Sequence, residues 1–159
     1  MEYEPRLFHS DEAVRRIGER LLARTLKRAD WTHEAHLAAT AWILLERPDI
    51  LPERDLPGII RGYNESVGGV NDETQGYHET ITQLSIRAVR HALARSEGTQ
   101  LAARVNALLH SPEGRRDWPL LFYSPELLFS REARFRWVEP DLTPPGPSFR
   151  SRRARSGRA

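Results

Sequence analysis

Between Leu37 and Leu45 the chain reads LAATAWILL, nine residues in which Thr40 is the one polar side chain. A helix over this run has almost no face left for water, so it belongs at the centre of a domain with other elements around it. It is too short to cross a bilayer, which takes ~20 apolar residues. Thr32 is its candidate N-cap, and Pro48 sets its far limit. Any fold for this chain has to wrap a central helix, and the flanking sequence must supply the wrapping.

That flanking sequence has a helical period, and no segment alternates as a half-buried strand would. A first helix is expected over residues 11–27, with Ser10 as N-cap and Ala13, Val14, Ile17, Leu21, Leu22 and Leu26 as its apolar face. The Pro-punctuated DILPERDLPG leads to a third helix over residues 56–66. The glycine-containing loop VGGVNDETQGY then precedes a fourth helix over 77–95 and a fifth over 99–109. Its length suggests a role beyond turning the chain. Two Ser-Pro-Glu starts, at Ser111 and Ser124, predict short helices that pack over one end of the bundle. The expectation is an all-α, compact single-domain bundle of about five main helices over residues 1–142.

The chain's 159 residues suit one such domain, and it has no cysteine. That excludes disulfides, thiolate catalysis, iron–sulfur clusters and cysteine zinc sites, and it fits a reducing, cytoplasmic setting. The opening MEYEPRLFHSDEAVRR lacks the apolar core of a signal peptide, and no membrane partner is expected. The pI near 9.4 comes from the end of the chain. Residues 143–159 hold five Arg and no acid, which leaves the first 142 residues at −3. This Pro/Arg-rich tail is expected to be disordered, and nucleic-acid contact is expected through it or not at all.

Helices joined by short connections alternate up and down. Counted that way, the starts of the second and fourth helices share one end with the 67–76 loop. His33, His36, Tyr63, Asn64, Tyr77, His78 and Glu79 then meet at a single mouth. His33 and His36 are spaced i, i+3 and fall on one helix face, a spacing that can chelate a metal ion. His78 is the candidate third ligand, and the ion would be zinc or iron. Glu79 is expected to orient a metal-bound histidine or to act as general base, with Tyr77 or Tyr123 as proton donor. HEAH at 33–36 and HETIT at 78–82 both miss the zincin His-Glu-x-x-His pattern, and neither a phosphate loop nor a serine elbow is present. Helix-start histidines also serve as plain caps or backbone partners, so the spacing leaves both readings open.

Four blocks in one order, WTHEAHLA, IRGYNESVG, GYHETIT and LLFYSPELLFSREARFRWVEPDL, carry a resemblance. The chain resembles a family of small bacterial proteins of uncharacterised function marked by W-T-H-x-x-H-L, G-Y-H-E-T and F-Y-S-x-E-x-L-F-S blocks. The resemblance implies that Trp31, His33, His36, Tyr63, Asn64, Tyr77, His78, Glu79, Thr80, Tyr123, Ser124, Arg131 and Trp137 recur together. It implies a site and supplies no reaction. Tyr123 and Arg131 are expected to close the mouth, Arg131 holding a ligand carboxylate or phosphate, or else pairing with Glu126 or Asp141.

Three functions follow. The first is a metal-dependent small-molecule enzyme, hydrolytic or oxygen-using, with His33, His36 and His78 on the metal and Tyr63, Asn64 and Arg131 on the substrate. The second keeps the pocket and drops the metal, with His78 and Glu79 as acid and base. The third is a non-catalytic binding or interaction module with an Arg-rich tail.

Overall fold

The structure is a computed structural model that describes residues 4–98 and 100–143; the tail from residue 144 onward lies outside the described residues. It is all-α as expected: seven α-helices and no strand among the described residues. Five are the main ones: α1 (Asp11–Ala23), α2 (His33–Glu46), α3 (Pro52–Ser66), α4 (Glu79–Arg95) and α5 (Leu101–His110). Two short ones follow, α6 (Pro125–Leu128) and α7 (Arg131–Phe135). No helix of the described residues is long and apolar enough to cross a membrane.

Ser10 Oγ accepts the Ala13 amide and starts α1. The helix ends before the expected residue 27, because Arg24 turns left-handed at φ 58° and its N–H reaches back to the carbonyls of Arg20 and Leu21. The chain then folds under itself, and Leu26 is still buried, packed with Leu21, Ala39 and Tyr63.

Helix α2 is central. Every residue from Leu37 to Ile43 is buried, and Thr40 is satisfied within the helix by donating to the His36 carbonyl at 2.9 Å. Gly18 lets α1 lie directly on Trp42, where an added Cβ would come within 2.1 Å of the ring.

Helix α3 starts at Pro52 rather than residue 56, since a first-turn proline needs no amide donor. Pro57 inside it leaves the Glu53 carbonyl without its intrahelical donor. Gln83 Nε2 of α4 donates to that carbonyl at 3.1 Å, and Arg90 pairs with the Glu53 carboxylate at 2.7 Å. A broken helical hydrogen bond thus becomes the tie between α3 and α4. The C-terminal segment, expected over one end of the bundle, packs along α4, burying Trp118, Tyr123, Leu128, Ala133 and Val138 against Leu84 and Ala88.

Candidate functional site

The start of α2, the end of α3, the 67–76 loop and the start of α4 do meet at one end of the bundle. They enclose a cavity of about 460 Å³. His36, Tyr63, Asn64, Tyr77 and His78 line it, together with Trp31, Arg28 and Gln75. Of the seven residues that helix parity gathers at one mouth, five line the cavity, and His33 and Glu79 do not.

The three histidines do different things. His33 turns away from the cavity, and its Nε2 donates to the Gly114 carbonyl at 2.8 Å. Because α2 is covered on all sides, residues in its first turn face different neighbours even at i, i+3. His78 is the N-cap of α4, not part of its first turn: Nδ1 accepts the Ile81 amide at 3.1 Å, and Nε2 donates to the Leu128 carbonyl at 2.7 Å. One neutral tautomer satisfies both bonds. Burial lowers its pKa, opposed by the bond to Leu128.

His36 is the exception. Its Nε2 is sealed from solvent and has no hydrogen-bond partner. Burial, with a smaller push from His33, lowers its pKa to about 4, so the ring is neutral in the physiological range. Trp31 lies against it with ring centroids 5.3 Å apart, and Tyr63 meets Trp31 edge-on at 5.6 Å. Tyr63 itself is fully buried and donates its hydroxyl to the Leu26 carbonyl at 3.0 Å.

No group of three His, Cys, Asp or Glu side chains among the described residues is placed to hold a metal ion. The donor set as built does not fit a three-histidine centre. Both nitrogens of His78 and the Nε2 of His33 are committed to the backbone.

The remaining candidates do not gather in that cavity. The Tyr77 ring walls this first cavity, but its hydroxyl donates to Glu79 Oε2 at 2.6 Å, and Glu79 lines a second cavity of about 820 Å³ on the other side of α4. Burial and the Glu79 carboxylate both push the Tyr77 pKa up, so its proton is held fast. Tyr123 is fully buried with its hydroxyl on the Val138 carbonyl at 2.7 Å, and Arg131 is exposed and pairs with Glu73 at 3.6 Å. Neither lines the first cavity. Asp141 holds the Ser124 amide and hydroxyl at 2.8 and 2.6 Å.

Residues that sequence reasoning passed over shape the mouth. Asn71 Oδ1 accepts from both Asn64 Nδ2 and the Tyr77 amide, while its Nδ2 donates to the Arg61 carbonyl at 3.2 Å. Asp72 caps the loop tip through the amides of Thr74 and Gln75. Arg134, not Arg131, is the residue of α7 that reaches the loop backbone, donating to the Gly76 carbonyl at 3.1 Å. The Asn-Asp pair between glycines is a turn signature that marks this loop as structured. Nothing in the sequence distinguishes Arg134 from Arg131.

Fold and cavity together define an all-α bundle with a ligand-sized pocket at one end. Set against family models, curated proteins and solved structures, the chain matches none of them, so geometry alone carries the functional reading.

Proposed function

We propose that the chain is a small-molecule enzyme that works without a metal ion, with the His36 cavity as its binding site and His36 as its acid–base group. The observation that carries this is the isolation of His36: it lines a cavity of about 460 Å³, and its buried Nε2 has no partner. An unsatisfied buried polar atom costs about 1–3 kcal/mol, and proteins keep one where a ligand or water completes it. A neutral imidazole in the wall of a pocket can take a proton from a bound acid or present its own N–H as an electrophile. His78 and Glu79 are less suited to that work than first expected, since one caps a helix and the other faces away. Tyr63, Asn64 and Tyr77 shape the pocket. The absence of cysteine supports a reducing compartment, and with it a cytoplasmic setting.

The test is ligand-observed NMR of a fragment collection against the wild type, His36→Gln and Ile81→Trp, which fills the cavity. Binders should shift the His36 ring nitrogens and be lost in Ile81→Trp, and any compound turned over should cease to be so in His36→Gln. Binding indifferent to both substitutions would overturn the site. Stoichiometric metal in untagged protein, lost in His36→Ala, would overturn the metal-free mechanism.

A further inference from the structure

The cavity's lining has an uneven charge. Arg28, in the turn before α2, is the one Arg or Lys on it, and no Asp or Glu lines it. The guanidinium has no carboxylate partner among the described residues, whereas Arg15, Arg47, Arg54 and Arg90 are each paired. His36 and His78 add no charge in the physiological range. The rest of the wall mixes rings and aliphatic side chains, Trp31, Tyr63 and Tyr77 with Ile60, Val67 and Ile81, with the uncharged polar Asn64, Gln75 and Thr82.

Resting on the pocket assignment above, we propose that the cavity takes a small planar organic monoanion, an aromatic or heteroaromatic carboxylate, with its ring system against Trp31 and Tyr77 and its carboxylate at Arg28. Flat rings favour a flat apolar body, which they contact over a large area at little entropic cost. A lone guanidinium fork matches the two oxygens of one carboxylate. A dianionic phosphate calls for more positive charge than one arginine provides. An amine would meet a cation and find no acid. Asn64, Gln75 and Thr82 add polar atoms to the lining, and groups of this kind discriminate among ring substituents by hydrogen bonding.

The experiment titrates three matched probes, naphthoate, naphthalenemethanol and naphthylmethylamine, into the full chain by calorimetry. Naphthoate should bind about fivefold or more tightly than naphthalenemethanol, and naphthylmethylamine most weakly. In Arg28→Gln the ratio of naphthoate to naphthalenemethanol affinity should fall to near unity. In Ile81→Trp, checked for retained helicity, both should be lost. Equal affinity for the three probes, abolished by Ile81→Trp, would overturn the anion assignment and leave the pocket standing. No binding of any probe, or binding that survives Ile81→Trp, would overturn the pocket assignment as well.

Discussion

Asn71 holds Tyr77 in place: its Oδ1 accepts the Tyr77 backbone amide at 3.0 Å. The same oxygen takes Asn64 Nδ2 at 3.1 Å, so one side chain joins the end of α3 to the residue two before α4. The wall of the cavity thus depends on a loop residue that does not line it. Asn71→Ala removes these bonds and the one to the Arg61 carbonyl. We expect a stability loss of about 1–2 kcal/mol, given that Asn71 is only half buried. Amide hydrogen exchange at Tyr77 should accelerate more than exchange in the centre of α2. Uniform acceleration across both would count against a local role.

Gly68 and Gly76 provide a matched pair in the same loop. Both have φ 83°, where a side chain is strained, but their surroundings differ. A Cβ at Gly68 meets nothing within 4 Å, whereas one at Gly76 would lie 2.3 Å from the Val70 carbonyl oxygen and 2.6 Å from Asn71 Oδ1. Gly68→Ala should cost about 1 kcal/mol from the backbone alone. Gly76→Ala should cost that plus the displacement of Asn71, for a total of roughly 2–4 kcal/mol. Urea denaturation of the two variants measures the difference, and equal losses would show that the Asn71 contact relaxes freely.

A second glycine pair tests the central packing. Gly18 and Gly58 both lie inside helices, where alanine is the better helix former by about 1 kcal/mol. A Cβ at Gly58 meets nothing within 4 Å, so Gly58→Ala should stabilise by about 0.5–1 kcal/mol. At Gly18 the same methyl would sit 2.1 Å from the Trp42 ring, with α1 and α2 unable to separate without opening the core. Overpacking of this kind costs about 1–3 kcal/mol, and Gly18→Ala should lower the thermal midpoint while Gly58→Ala raises it. A rise in both would mean that Trp42 can move aside.

The fold was legible because its strongest signals are local. The run from Leu37 to Leu45, the Ser10 and Thr32 caps, and the prolines fix where helices lie. Helix parity then fixed which ends meet. What parity cannot fix is where a side chain points once its helix is surrounded. His33 and His36 are three residues apart, yet one finds a carbonyl 81 residues away and the other finds a cavity. His78, the candidate third ligand by sequence, serves as a cap, because Nδ1 on an N-cap histidine has an amide within reach before any metal. Arg131 and Arg134 are both in α7, and only the path of the loop decides that Arg134 holds its backbone.

The protonation of His36 should be visible in stability. The ring's pKa falls from an ordinary 6.5 to about 4 on folding, because burial removes the water that would solvate the imidazolium. Between those values the unfolded chain binds a proton that the folded chain refuses, so the slope of unfolding free energy with pH is positive. Stability is therefore fully present above pH 6.5 and declines as pH falls toward 4, by an amount on the order of 2–3 kcal/mol for this group. His78, whose pKa also falls on burial, acts in the same direction. The contribution of His36 is thus read as a difference: urea denaturation at pH 7 and pH 4.5 for wild type and His36→Gln. The variant should lose less stability between the two pH values, since a glutamine at position 36 does not titrate. Equal losses would mean that the imidazole gains solvent or a carboxylate partner in solution, and the neutral ring on which the proposed chemistry depends would be gone.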